Sequence, residues 1–190
     1  MARQKEFDTQ IVLEKAMDVF WENGYEHTSM QNLVDAMGIH RRSIYDTFGD
    51  KHNLFILSLK LYEELISRNI QLSILESMSV HEKLKTVFSV IVSDKNHRAG
   101  CLIVNTAAEL SNIDPVVEKE IQDYFNREEH LIFNILLTAQ EKNEIAASTD
   151  IEALSCFLHN ALIGIRVLSK TTNDNEKLNM IIDQTLKNIN

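Results

Sequence analysis

The stretch of sequence that decides the fold covers residues 28–48 and reads TSMQNLVDAMGIHRRSIYDTF. Leu33 and Met37 recur at helical spacing, and Gly38 follows at once. Glycine is a common helix stop because it adopts the left-handed backbone conformation without strain. A second short helix is predicted from about His40 to Phe48. A helix, a tight glycine turn and a second helix are typical of the helix-turn-helix motif.

The second helix of this motif carries two adjacent arginines. Ile44 and Phe48 lie four residues apart, so they share one face and should anchor the helix to the core. Arg41 and Arg42 then point elsewhere. Each guanidinium is a planar fork that can bind the O6 and N7 atoms of a guanine in the major groove.

Several hydroxyls and one ammonium lie near these arginines. Ser43, Tyr45 and Thr47 can donate hydrogen bonds to phosphate oxygens, which position a protein on DNA without reading its sequence. Lys51 falls in the first turn of the next predicted helix. Its charge and the free backbone N–H groups of that helix start could together hold one phosphate.

Helix signals continue on both sides of the motif. Thr28 with Gln31 three residues later predicts a capping box, and helix starts are also predicted after Asp8 or Thr9, Asp50, Asp114-Pro115 and Asp150. The chain of 190 residues has only five glycines and one proline, which argues against the many turns of a strand-rich fold. We therefore predict an all-α protein of about nine helices.

The overall charge does not favour DNA binding. The formal net charge is −9, and by our count residues 1–53 hold six basic and nine acidic side chains. Duplex DNA repels an acidic protein, so a DNA contact would have to come from a local cluster such as Arg41 and Arg42.

The stretch from about residue 8 to residue 56 resembles the N-terminal domain of TetR/AcrR transcriptional repressors, in both the order and the spacing of its residues. The matching positions are Ala16, Phe20, Gly24-Tyr25, Thr28-Ser29-Met30, Ala36-Met37-Gly38-Ile39, Ser43-Ile44-Tyr45-Asp46-Thr47-Phe48, Asp50-Lys51 and Leu54. The resemblance implies DNA contacts at Thr28, Ser29, Arg41, Arg42, Tyr45, Thr47 and Lys51. His40 departs from the family's usual Ser or Thr, and we include it with Ser43 among the candidate contacts.

The resemblance also implies how the whole chain is organised. It predicts a three-helix DNA-binding domain over residues 1–55 and a helical effector-binding and dimerisation domain over residues 56–190. The expected function is a ligand-responsive repressor, without a cofactor, that binds a palindromic operator as a homodimer in the cytoplasm and is released by a small molecule.

The last two predicted helices carry apolar side chains at alternating spacings of three and four residues, as in helices that pack nearly parallel. Since family members dimerise through these two helices, we predict a dimer interface there, although packing within one chain would give the same pattern. The predicted interface residues are Ile151, Leu154, Leu158, Ala161, Ile165, Leu168, Leu178, Ile182 and Ile189.

The long helices in between leave room for a ligand pocket. Asn105 and Glu109 are notable candidates because polar groups inside a helical bundle need partners. The predicted lining residues are Tyr62, Ile66, Phe88, Asn105, Glu109, Tyr124, Phe125 and Phe157. Cys101 is a possible reactive thiol, because it follows Gly100 near a helix start with Arg98 close in sequence; a buried packing role is the alternative.

Other classes of protein are less well supported. No two histidines lie four residues apart and no Glu-x-x-His pair occurs, so neither a metal sensor nor a di-iron enzyme is indicated. The N-terminus lacks a signal-peptide pattern, and no run of eighteen apolar residues predicts a membrane span. A helical adaptor that binds protein would suit the acidic charge but leaves the two arginines unexplained.

Overall fold

The computed structural model describes residues 7–92, 100–172, 174–187 and 189. Within these residues it contains nine α-helices and no strand, which confirms the all-α prediction. The helices are α1 (Thr9–Asn23), α2 (Met30–Met37), α3 (Arg41–Phe48), α4 (Lys51–Ser73), α5 (Val80–Val92), α6 (Leu102–Leu110), α7 (Pro115–Glu141), α8 (Ile151–Thr171) and α9 (Asn175–Leu186).

Aspartates define most of the helix starts. The carboxylates of Asp8, Asp50, Asp114 and Asp150 each accept hydrogen bonds from free N–H groups in the first turn. Such caps satisfy donors that have no partner inside the helix. The predicted starts of these four helices are therefore confirmed.

The capping box of α2 lies one residue later than predicted. Ser29 accepts from the backbone N–H of Asn32, and the Asn32 side chain accepts from the backbone N–H of Ser29. Thr28 is buried instead, and its hydroxyl donates to the carbonyl of Gly24 at 2.6 Å. The prediction of a Thr28–Gln31 box was wrong because two adjacent residues could both act as caps.

Helices α1 to α3 pack as a small unit against the first half of α4. Phe20 and Phe55 meet edge to face with their ring centroids 5.0 Å apart, and Trp21 meets Tyr62 of α4 in the same way at 5.0 Å. Helix α4 is long enough to continue from this unit into the second group of helices, α5 to α9.

Helix α8 has the length and mean hydropathy of a membrane-spanning helix, 1.4 over an 18-residue window. This differs from the prediction that no stretch would qualify. In this fold α8 packs along α7 and α9 and buries Arg166 against Glu128. Only 33% of the window is buried within the chain, so α8 has a large apolar face that the described residues leave uncovered.

Candidate DNA-binding surface, effector cavity and the links between them

The turn between α2 and α3 presents α3 to solvent. Gly38 adopts a left-handed conformation, with φ of +69°, and its N–H caps α2 by donating to the carbonyl of Val34. Ile44 and Phe48 are 0% and 3% exposed, so they anchor α3 as predicted. The opposite face of α3 is left free for a partner.

The exposed face of α3 carries its basic and aromatic side chains. Arg41 lies over the ring of Tyr45, with its guanidinium carbon 5.7 Å from the ring centroid, and also contacts the Tyr45 hydroxyl at 3.3 Å. Arg42 is 92% exposed and forms a long contact of 3.6 Å with Asp46. Both guanidinium groups therefore lie at the surface, where a base edge or a phosphate could reach them.

The other predicted contacts differ in accessibility. Ser29 and His40 are exposed, and Ser43, Thr47 and Lys51 are half-buried. The Lys51 ammonium lies 4.2 Å from the centre of the Tyr25 ring, beside the start of α4. Thr28 is 1% exposed and its hydroxyl already has a partner, so a direct contact from its side chain to DNA does not fit this structure.

A cavity of about 530 Å³ lies between α4, α5 and α7. Ile66 and Ile70 of α4 form one wall with Ile74, which directly follows α4, and Leu131 and Ile135 lie on the α7 side. Its remaining lining residues are polar or charged: Glu63, Ser67, Gln71, Lys83, Tyr124, Arg127, Glu128, Asn134 and Thr138. The volume is typical of small-molecule sites, and the lining combines two aliphatic walls with nine polar or charged side chains.

A buried ion pair lies at the base of this cavity. The Arg166 guanidinium donates to both oxygens of Glu128, through Nη1 at 2.6 Å and through Nη2, and these residues are 1% and 5% exposed. The Tyr124 hydroxyl donates to Glu128 at 3.1 Å, and His159 Nε2 lies 3.3 Å from the carboxylate.

The ionised form of Glu128 is strongly favoured. Burial by itself would raise the pKa of the carboxyl, but the charge of Arg166 and the hydrogen bonds of His159 and Arg166 outweigh burial and bring the pKa down to about 2. Burial also raises the pKa of Tyr124 well above its ordinary value, so this hydroxyl remains protonated and can donate.

Most of the predicted pocket residues lie elsewhere. Only Ile66 and Tyr124 line the cavity. Tyr62 packs on Trp21, Phe88 is fully buried, and the ring of Phe125 packs against His159. The amide oxygen of Asn105 accepts from Lys170 at 3.1 Å, and Phe157 is 56% exposed. The sequence pattern could not show which neighbours enclose a cavity, because those neighbours come from separate helices.

Glu109 links the two groups of helices. Its carboxylate accepts hydrogen bonds from the backbone N–H groups of Tyr25 at 3.1 Å and Glu26 at 2.9 Å, directly after α1. Gly24 allows this approach, since a side chain there would place its Cβ only 2.8 Å from a Glu109 oxygen. Two further links lie nearby: the Trp21 indole donates to the Gly100 carbonyl at 2.9 Å, and His52 contacts Asp114 at 2.7 Å.

Cys101 is 1% exposed at the start of α6, with Tyr62, Tyr124 and Arg166 around it. The burial of Cys101 favours the packing role, whereas the hydroxyls and the guanidinium group near it favour a reactive thiol. Arg98, the nearby cation on which the predicted reactivity partly rests, lies outside the described residues. Reactivity of Cys101 stays a prediction.

The predicted dimer stripe is largely part of the chain's own core. Leu158, Leu178 and Ile182 are 0% exposed, Ile165 is 1% and Ile189 is 6%. Ile151, Leu154 and Ala161 are half-buried and pack against the same core, and only Leu168 is exposed, at 38%. Most of these periodic positions therefore pack within the chain itself, and their part in a dimer interface stays a prediction.

Helices α1 to α4 and the exposed arginines of α3 define a helix-turn-helix transcriptional regulator. Comparisons with known proteins agree with this class. Residues 12–56 match the family described as bacterial regulatory proteins, tetR family, and residues 82–185 match the tetracyclin repressor-like C-terminal domain. The chain belongs to the TetR family of DNA-binding transcriptional regulators.

Individual relatives extend over nearly the whole chain. The HTH-type transcriptional regulator YezE of Bacillus subtilis is 35% identical, and the match covers 98% of each protein. The HTH-type transcriptional repressor ComR of Escherichia coli is 29% identical over 97% of this chain and 90% of ComR. A cysteine mutant of the TetR family regulator CifR, solved with 26-bp double-strand operator DNA, superposes with a TM-score of 0.90 at 26% identity and 100% coverage of both chains.

Proposed function

We propose that this protein is a homodimeric repressor that binds a palindromic operator through α3 and releases it when a small molecule enters the cavity between α4, α5 and α7. The exposed Arg41, Arg42 and Tyr45 face of α3 carries this proposal. It is held to the core by Ile44 and Phe48, in the arrangement in which a recognition helix enters the major groove. The repressor ComR and the operator complex of CifR support it.

The effector part of the proposal rests on the length of α4. One end of α4 packs against α1 and α3, and the other lines the cavity with Ile66 and Ile70. A ligand that fits the cavity better in one position of α4 would shift the orientation of α3, which is the differential binding that allosteric coupling requires. We place this activity in the cytoplasm, where the chromosome is, and without a catalytic step.

The dimer part rests on apolar surface outside the core. Phe157, Val167 and Leu168 of α8 and Met180 of α9 are 56%, 51%, 38% and 66% exposed. A Cβ added at Gly164 would meet open space, with no neighbouring side chain within 4 Å, so another helix could approach closely there. We propose that this outer face of α8 and α9 covers the same face of a second copy.

Selection from a random DNA library tests the operator. The wild type should enrich a palindrome, at low and at moderate salt, and the Arg41→Ala/Arg42→Ala variant should not, because it lacks both guanidinium groups. An Arg68→Ala/Lys119→Ala variant is a matched control, since it removes two exposed charges from α4 and α7. If folded wild-type dimer enriches no sequence at any salt concentration, the proposal is wrong.

A further inference from the structure

The charged groups that line the cavity are not all neutralised. Glu63 accepts two hydrogen bonds from Arg127, at 2.6 and 2.8 Å, and Glu128 is paired with the buried Arg166. Within each of these two ion pairs, the negative and the positive charge neutralise each other. Lys83 of α5 also lines the cavity, and among the residues that the structure describes its ammonium has neither an ion pair nor a hydrogen bond.

The surroundings of Lys83 strengthen the effect of its charge on a bound ligand. The residue is half-buried rather than fully solvated, and it faces a cleft with aliphatic walls from α4 and α7. Charges act more strongly in such a cleft than in bulk water, because low-dielectric walls screen less. An anion bound there would give Lys83 the ionic partner that the described residues do not provide, whereas a cation would be repelled.

The rest of the lining indicates what the anion should be attached to. Ile66 and Ile70 lie four residues apart on α4 with Ile74 directly after its end, and Leu131 and Ile135 lie four residues apart on α7. These side chains make two facing aliphatic surfaces. Covering them with hydrocarbon would be favourable by the hydrophobic effect, and Tyr124 is the one aromatic residue among the described residues of the lining.

We propose that the effector is an amphipathic monoanion, an aliphatic body with one carboxylate-type head group, whose head binds Lys83 and whose body lies between α4 and α7. This inference rests on the proposed function in taking the cavity as the effector site. It goes further in naming the chemical class of the ligand and the residue that selects its charge. Glu63 and Glu128 already neutralise the charges of Arg127 and Arg166, so the selection falls to Lys83.

Three probes of equal chain length separate the head groups. We would titrate the full-length protein at pH 7.5 with octanoate, 1-octanol and octylammonium by isothermal titration calorimetry. The expected result is that octanoate binds at least about tenfold more tightly than octanol and that octylammonium is the weakest, because only octanoate pairs with Lys83.

Two variants assign the preference to a residue. Lys83→Met should reduce the affinity for octanoate about tenfold and leave that for octanol within about twofold, since the aliphatic walls remain. Lys119→Met removes an equal charge from an exposed site on α7 and should keep the full preference, which controls for overall charge. Thermal melting would check that both variants are folded.

Several results would overturn the inference. These are equal affinity of the wild type for octanoate and octanol, a preference for octylammonium, an unchanged preference in Lys83→Met, or no octanoate binding at 5 mM. The titrations contain no DNA, so they are independent of the library selection. An enriched palindrome without octanoate binding would leave the repressor proposal standing and remove this one. Octanoate binding without an enriched palindrome would remove the repressor proposal and leave Lys83 as part of an anion site without a role in operator release.

Discussion

At the scale of single residues, the Glu128–Arg166 pair is the most consequential interaction in the helical bundle. Both side chains are almost completely buried, so each charge has lost its water and depends on the other. A buried pair of this kind adds little net stability, but removing one partner leaves an uncompensated charge. The pair therefore makes the core around the cavity sensitive to single changes.

We expect Arg166→Met to lower the free energy of unfolding by about 3–5 kcal/mol, because Glu128 would remain buried without a cation. The Glu128→Gln/Arg166→Met double variant should be more stable than Arg166→Met alone. Urea unfolding at one fixed protein concentration would measure both. Arg68→Met, which breaks an exposed pair with Glu64, is the control and should cost less than about 1 kcal/mol. Equal losses for the single and double variants would contradict this account.

The same pair predicts a dependence of stability on acid. The pKa of Glu128 is about 2 in the folded protein and has an ordinary value of 4.5, so folding favours the ionised form. Relative to the protonated carboxyl, ionisation of Glu128 stabilises the fold by about 3 kcal/mol. This contribution is complete above the ordinary pKa and is lost as the pH falls from about 4.5 toward 2. The difference in unfolding free energy between wild type and Glu128→Gln should therefore shrink between pH 6 and pH 3. A constant difference over that range would show that the charge of Glu128 is not stabilised.

Residue-scale features were only partly predictable from the sequence. Glu128 stands where the apolar stripe of Ile121, Tyr124 and Ile132 needs a member, and this position signals burial of a charge. Nothing in the local pattern indicates that Arg166, 38 residues away, is its partner. Lys83 and Arg127 likewise become part of a cavity only when α4, α5 and α7 come together. Glu109 was recognised as a polar group needing partners, but those partners are backbone groups beyond α1.

At the scale of elements, the turn between α2 and α3 sets the direction of the recognition helix. Gly38 has a φ of +69°, and a Cβ added there would meet nothing within 4 Å. The penalty for a side chain at this position is therefore backbone strain rather than collision. Residues without a short polar side chain rarely adopt this conformation, whereas asparagine tolerates it.

We expect Gly38→Val to reduce both stability and operator affinity, because a β-branched residue at positive φ would force the turn to change and tilt α3. Gly38→Asn should retain the stability of the wild type, and its operator affinity should stay within about twofold. Thermal melting and fluorescence anisotropy with the selected operator would compare the two variants. If both variants bind the operator as the wild type does, the turn does not set the position of α3.

The helices were the features of this structure that the sequence predicted best. Asp8, Asp50, Asp114-Pro115 and Asp150 are local signals, because a cap acts on N–H groups two or three residues away, and each marks a helix start in the fold. The spacings of three and four along α8 and α9 correctly indicated a packed face. They could not say which neighbour covers it, since a helix of the same chain and a helix of a partner give the same period.

At the scale of the whole molecule, the uncovered face of α8 calls for an explanation. Its 18-residue window has a mean hydropathy of 1.4, yet only 33% of it is buried in the chain. Phe157 and Val167 remain more than half exposed. Large apolar patches of this kind mark association sites. A second copy of the chain would bury the face and bring two α3 helices to the two halves of a palindrome.

We expect the wild type to have twice the 21.8 kDa mass of the chain in sedimentation equilibrium at micromolar concentration, and Phe157→Glu to have the mass of the chain alone. In a two-fold interface every residue occurs on both sides, so one substitution would bury two uncompensated carboxylates. The variant should also lose most of its operator affinity, since each monomer reaches one half-site. Val116→Glu changes a side chain of similar exposure, 54%, at the start of α7 and should remain dimeric. A dimeric Phe157→Glu protein would place the interface on another face and would leave the apolar surface of α8 to a different partner.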